Sequence, residues 1–102
     1  MTALQLRVRN AIRNAGETFE VGMTTGVGVF SLVSPGYASR FLTELELDSL
    51  ARPLRVAAVP FDDGTTVGST VEWNGLDFSV EKVVEIRHRG QTIAKTLVLA
   101  PS

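Results

Sequence analysis

The stretch TVEWNGLDFSVEKV, residues 70–83, decides the fold of this chain. Apolar and polar residues alternate on both sides of Asn74-Gly75, as they do in strands that bury one face. Asn and Gly both tolerate the positive φ that a type I′ turn requires at its two central positions. The turn also sets the register, which places Trp73 beside Leu76. The stretch therefore predicts an antiparallel β-hairpin.

The alternation continues beyond this turn and predicts one long strand. Phe78 of this strand is expected to lie opposite Val71 of the preceding strand. The face predicted to lie on the core consists of Phe78, Val80, Val84 and Ile86. The opposite face consists of Ser79, Glu81, Glu85, Arg87 and Arg89, with Val83 as an exception. A turn at residues 88–91 leads to a last strand over residues 92–99, with Ile93, Leu97 and Leu99 inward. One apolar face and one charged face indicate a sheet with a core on one side and water on the other.

Residues 3–14 have the periodicity of a helix instead. Its apolar stripe, at spacings of three and four residues, contains Leu4, Val8, Ala11, Ile12 and Ala15. Thr2 is suited to cap the start of this helix, and Gly16 is suited to end it. Because a lone helix of this length is marginal in water, we expect it to dock on the rest of the protein or on a neighbour.

The remaining segments complete a mainly β protein. Further strands are predicted over residues 18–23, 27–33, 54–59 and 69–73, and a tight turn at MTTG, residues 23–26, joins the first two. About six antiparallel strands must curl or stack to bury their apolar face, which predicts a small β-barrel or sandwich with one N-terminal α-helix. We expect one domain over residues 1–102, made of a helix (1–16), a first β-hairpin (17–33), a long loop between strands 2 and 3 (34–52) and the remaining strands (53–100).

The connection over residues 34–52 is longer than a plain loop needs to be. It holds six large apolar or aromatic residues: Tyr37, Phe41, Leu42, Leu45, Leu47 and Leu50. Two interpretations stay open, a satellite of the core and a loop that contacts other proteins.

The first 16 residues carry Arg7, Arg9 and Arg13 and no acid, although the net charge of the chain is −1. Such a set usually forms a solvated face, and the alternative is a surface for an acidic partner.

The sequence offers few residues for catalysis or metal binding. It has no cysteine, which excludes disulfides and thiolate chemistry, and its single histidine, His88, lacks companions for a metal site. Asp62 and Asp63 are interpreted as turn residues, and the glycines at 22, 26 and 28 lack the Gly-Lys-Ser/Thr of a phosphate loop. No apolar run approaches the roughly 18 residues that span a bilayer. We therefore expect a protein that is not an enzyme, with no cofactor, no metal and no membrane contact.

The C-terminal half resembles the head-closure, or head–tail joining, proteins of tailed bacteriophages. The resemblance covers residues 51–100 and lies in the order of its elements, which are Gly68 to Val71, Asn74-Gly75, Phe78 to Val80, and Gly90 with Leu97 and Leu99. It implies a β-barrel subunit of a head–tail connector that assembles as a homo-oligomeric ring between the portal and the tail, and helps to retain packaged DNA.

The resemblance also implies partners and a location. The partners are the portal or adaptor and tail proteins of the particle. Such a ring also allows non-specific contact with packaged DNA in its channel. The protein would be made in the host cytoplasm and end in the virion, at the neck between capsid and tail. The contact residues implied for the long loop are Tyr37, Arg40, Phe41, Leu42, Leu45 and Leu47, and those for the helix are Arg7, Arg9 and Arg13. Two alternatives remain, a tail-terminator or minor tail protein of the same particle, and a small nucleic-acid-binding β-barrel.

Overall fold

The computed structural model describes residues 1–32 and 54–102. The described elements are α1 (Ala3–Ala15), β1 (Glu17–Val21), β2 (Thr24–Leu32), β3 (Arg55–Pro60), β4 (Thr70–Trp73), β5 (Leu76–His88) and β6 (Gln91–Pro101). The six strands form a closed antiparallel barrel in the order β1-β2-β3-β6-β5-β4. The predicted fold class, a small β-barrel or sandwich with one N-terminal helix, is thus confirmed, and the structure is a barrel. Within the described residues, no helix is both long enough and apolar enough to cross a membrane.

The N-terminal helix begins and ends where the sequence predicts. Thr2 and Gln5 form a capping box, and the Gly16 N–H donates to the carbonyl of Ile12 at 2.7 Å. The buried side chain of Ile12 belongs to the apolar stripe, and α1 lies against β2, β3 and β6. Two polar contacts tie its first turn to the start of β6: Thr2 Oγ1 donates to Gln91 Oε1, and Gln5 Nε2 donates to the carbonyl of Thr92, both at 2.9 Å. The helix therefore docks on its own barrel.

The Asn74-Gly75 hairpin has the predicted geometry. Both residues have positive φ, 54° and 76°, and Trp73 pairs with Leu76. Val71 lies opposite Phe78, as the turn requires.

The first hairpin turns earlier than predicted. Val21 pairs with Thr24, so the two-residue turn is Gly22-Met23 and not residues 23–26. Gly22 has φ 60°, which a type II′ turn needs at its first central position and which glycine adopts without steric cost. The β-branched Thr24 and Thr25 belong to β2, as expected from their preference for strands.

The predicted faces of β5 are correct only as far as Val80. Val80 pairs with Leu99 but Lys82 pairs with Val98, so Glu81 is an extra residue in a β-bulge. The bulge exchanges the two faces. Val83, the exception on the predicted charged face, packs against the core, whereas Ile86, predicted to point inward, lies on the opposite face and is 41% exposed.

Two large side chains lie in the barrel core, Phe19 of β1 and Phe78 of β5. The buried cluster around them consists of Phe19, Ala57, Val59, Val71, Phe78, Val80, Leu97 and Leu99. The Phe19 ring lies over β2 so closely that a Cβ at Gly26 would stand 2.6 Å from its Cζ atom. This packing explains a glycine in the middle of a strand without any phosphate-binding role.

Candidate interaction surfaces

The three helix arginines do not share one face. Arg9 is held by its own chain, with Nη1 3.0 Å from Asp62 Oδ2 and only 17% of its side chain exposed. Arg7 and Arg13 are exposed. At about 100° of rotation per residue, Arg7 lies roughly 120° around the helix from Arg13 and roughly 160° from Arg9. The predicted helix site is therefore two separate exposed cations, Arg7 and Arg13, and one arginine engaged in an internal ion pair.

The six predicted loop residues, Tyr37, Arg40, Phe41, Leu42, Leu45 and Leu47, lie outside the described residues. The structure does fix where this connection leaves and returns. Leu32, the last residue of β2, pairs with Arg55, the first residue of β3. The described residues on either side of the segment 33–53 therefore lie at the same end of the barrel.

That end, the barrel mouth, carries an aromatic cluster with a cation on it: Phe30, Arg55, Trp73 and Phe78. The Phe30 and Trp73 rings stack with centroids 4.3 Å apart and planes 5° apart. Arg55 Cζ lies 5.3 Å from the Trp73 centroid and 5.7 Å from that of Phe78, within the range of cation–π attraction. The cluster forms one end of the core, in which the guanidinium of Arg55 contacts the rings of Trp73 and Phe78.

The mouth also combines a carboxylate with exposed apolar residues. Trp73 Nε1 donates to Glu17 Oε2 at 2.9 Å, which satisfies the indole N–H. Leu32 is 62% exposed and Leu76 is 52% exposed on strands adjacent to the cluster. Tryptophan and arginine are residue types that often dominate protein–protein contacts, and the exposed leucines add apolar surface beside them.

The sequence predicted that Trp73 and Phe78 lie in the hairpin, but it assigned none of Trp73, Phe78, Glu17 and Arg55 to an interaction surface. The signal was strand parity. Arg55 lies on the same face of its strand as the core residues Ala57 and Val59, and Glu17 lies on the same face of its strand as Phe19. Charged residues at inward positions of strand ends mark the mouths of a barrel rather than its core.

The opposite end of the barrel consists of turns and ion pairs. Asp63 Oδ1 accepts from the Thr65 N–H at 2.9 Å, and the carbonyl of Asp63 accepts from Lys95 Nζ at 3.0 Å. Asp63 thus has the predicted role of a turn residue, whereas the pairing of Asp62 with Arg9 was not predicted. A cleft of about 170 Å³ lies beside Phe19 and Asp63. Within residues 1–32 and 54–102, no group of three or more acidic or histidine side chains could hold a metal ion.

The outer part of β5, residues 85–88, is also exposed. Among the described strands, β4 pairs with β5 as far as Ser79, and β6 pairs with β5 as far as His88. Glu85, Ile86, Arg87 and His88 are all exposed. Arg87 donates to Glu85 Oε2 from Nη2 at 2.8 Å and from Nε at 3.2 Å. These hydrogen bonds and the adjacent positive charge lower the pKa of the Glu85 carboxyl below its usual value.

No family model, curated protein or solved structure matches the chain in comparisons with known proteins.

Proposed function

We propose that this protein is a structural subunit of a tailed-phage neck, a head–tail connector that assembles as a ring between portal and tail and helps to retain packaged DNA. Its action is assembly without chemistry. The surfaces it presents to portal, adaptor and tail proteins, and to neighbouring copies, carry the function.

The barrel mouth is the observation that carries this proposal. Trp73 and Arg55 are in contact there, Leu32 and Leu76 are exposed beside them, and the described residues on either side of segment 33–53 lie there. Exposed apolar residues beside ordered aromatic and arginine side chains favour a protein partner.

The residues behind the resemblance support the same architecture. Val71, Phe78 and Val80 lie in the core with Leu97 and Leu99, and the Asn74-Gly75 and Arg89-Gly90 turns join the strands that carry them. The order of elements seen in head-closure proteins thus corresponds here to a closed barrel. These residues form the core and the turns. They therefore support the barrel fold, and they do not distinguish one position in the particle from another.

The location of the protein in particles tests the proposal. Purified particles of the phage that encodes it are labelled with a gold-conjugated antibody against the protein and imaged. Gold at the junction of capsid and tail is expected. Gold at the tail end would replace the proposal with a tail-terminator or minor tail protein. Absence from particles would reject both, and a salt-dependent mobility shift of single-stranded oligonucleotides would then favour a nucleic-acid-binding barrel.

Two variants test the surface itself. Deletion of residues 37–47 and the substitution Leu76→Asp should leave a folded protein, judged by circular dichroism, that fails to join heads to tails in a complementation assay. Met23→Asp is the matched control, because Met23 is fully exposed on the β1–β2 turn. Infectious particles from the deletion variant would show that the loop assignment is wrong.

A further inference from the structure

The Asn74-Gly75 turn places a side-chain amide next to a backbone nitrogen that is open to attack it. Both residues are exposed, and they lie outside the ladder, because the pairing of β4 with β5 ends at Trp73 and Leu76. Within the described residues, neither the Asn74 side chain nor the Gly75 N–H takes part in a hydrogen bond. A Cβ at Gly75 would meet nothing within 4 Å, so the turn has open space around it. Local opening, which lets the Cα–C bond of Asn74 rotate, therefore breaks no contact of these two residues.

We propose that Asn74 is a self-modification site, at which the chain deamidates and rearranges its own backbone. The backbone nitrogen of Gly75 loses its proton and attacks Cγ of Asn74. The Cγ–Nδ2 bond breaks, and Nδ2 leaves with that proton as ammonia. The new C–N bond closes a five-membered succinimide ring, which water then opens. No oxidant or reductant takes part, and water is the only co-reactant.

Water opens the ring at either of its two carbonyl carbons and so forms two products. Addition at Cγ leaves an ordinary aspartate, in which a carboxylate replaces the side-chain amide. Addition at the backbone carbonyl leaves an isoaspartate, in which the chain runs through Cβ and Cγ and gains one backbone carbon. Each product carries one negative charge more than the net −1 of the chain. The reaction therefore changes the charge in both products and the length of the backbone in one.

The other asparagines of the chain lie in a different backbone environment. The sequence has three asparagines, and Asn10 and Asn14 are exposed like Asn74 but belong to α1. The residue after each of them is an alanine inside the helix, whose N–H donates to a carbonyl four residues earlier. That nitrogen must lose its hydrogen bond before it can attack, and the alanine methyl group crowds its approach. Among the three, the backbone thus favours reaction at Asn74.

The hairpin has no room for an additional backbone carbon. The register of β4 on β5 follows from a turn of two residues, so a longer turn displaces the pair beside it. That pair includes Trp73, whose indole donates to Glu17 at the barrel mouth. The new carboxylate also lies two residues from Glu72, which is already opposite Asp77, and like charges in such positions repel. The isoaspartate should therefore loosen both the hairpin and the aromatic cluster at the mouth.

Incubation of the full chain tests the site, and it does so whatever the role of the protein in a phage, because the chemistry needs only the chain and water. The protein is kept in neutral buffer at physiological temperature for several weeks and analysed by peptide mapping with mass spectrometry. Deamidation at Asn74 is expected, with at least about tenfold less product at Asn10 and Asn14. The rate should rise with pH, because the attacking group is the deprotonated nitrogen. A folded chain in which Asn74 stays intact, or in which all three asparagines react alike, would overturn the proposal.

Asn74→Gly is the matched control, because glycine also adopts the positive φ of this position and Gly-Gly suits a type I′ turn. This variant should fold, judged by circular dichroism, and should lose most of the ammonia release of the original chain. Asn10→Gln removes an asparagine from α1 and should leave the release of ammonia unchanged. If Asn74→Gly releases as much ammonia as the original chain, the reaction occurs elsewhere and the proposal is wrong.

The two products, separated by chromatography, test the consequence for the fold. They have the same composition and charge and differ only in the path of the backbone. The isoaspartate form should melt several degrees below the aspartate form, since Asp-Gly also suits a type I′ turn. Its fluorescence should shift to longer wavelength as Trp73, the single tryptophan, gains access to water. Equal melting of the two forms would show that the turn tolerates the extra carbon, which contradicts the proposed loosening.

Discussion

Two parts of one strand, β5, differ in how they use the same alternation of apolar and polar residues. Phe78 and Ser79 pair with both β4 and β6, and the inward side chains of Phe78 and Val80 are 3% and 1% exposed. Among the described strands, residues 85–88 pair with β6 and not with β4, and Ile86 is 41% exposed. Alternation therefore makes a strand in both parts, but only closure of the barrel makes a core.

The largest expected effect comes from truncating one apolar side chain in each part. Phe78→Ala should lower the free energy of unfolding by about 3–5 kcal/mol, because it removes a buried ring and leaves a cavity. Ile86→Ala should cost less than about 1 kcal/mol, because the side chain is partly in water. Urea unfolding of both variants measures the difference. Similar losses would mean that the outer part of β5 is buried in solution.

The close packing inside the barrel gives the next effect. Gly26→Ala should destabilise by about 1–3 kcal/mol, because the new methyl group meets the buried ring of Phe19 and neither can withdraw. Gly64→Ala is the matched control, since a Cβ there meets nothing within 4 Å. The melting temperatures of the two variants should differ by several degrees. If they melt together, the ring does not lie over β2 as described.

The turns at the two ends of β5 differ by one residue type. Asn74-Gly75 and Arg89-Gly90 both have positive φ, and both first residues have φ 54°. Asparagine tolerates this conformation better than arginine. Asn74→Ala should therefore lower stability by about 1 kcal/mol, and Arg89→Asn should raise it by about 0.5 kcal/mol. Thermal unfolding that moved in the opposite direction for Arg89→Asn would indicate that Arg89 makes a compensating contact.

The smallest effect concerns the ion pair on the outer part of β5. Arg87→Gln should raise the pKa of Glu85 toward its usual value, because it removes the hydrogen bonds and the charge that lower it. A lowered carboxyl pKa contributes stability above the pKa of the unfolded chain, and that contribution is lost as the pH falls through the lower folded value. Titration of the Glu85 carboxyl carbon by NMR in both proteins measures the change. An identical pKa in the two proteins would mean that the pair is absent in solution.

Sequence reasoning was most successful where the chemistry is local. Asn74-Gly75 gave the turn type and the pairing of Trp73 with Leu76, because few residues tolerate two successive positive φ angles. Thr2 and Gly16 marked the ends of the helix for a similarly local reason.

It failed where the decision depended on a distant strand. The bulge at Glu81 is invisible along the chain, because it exists only relative to the partner residues Val98 and Leu99 of β6. One extra residue reversed the predicted faces of Val83 and Ile86. The roles of Arg55 and Glu17 were missed although their strand parity points them inward, because their contacts with Trp73 are with a residue of a different strand.

The amino-acid sequence alone determined that this chain forms a helix followed by antiparallel hairpins, since turn chemistry and hydrophobic period act between residues close along the chain. Only the tertiary structure decided that the sheet closes into a barrel, that Arg9 is engaged by Asp62, and that a bulge exchanges the two faces of β5. These outcomes depend on which strands meet across the sheet. Their energies come from contacts between residues far apart in the chain, which no local pattern encodes.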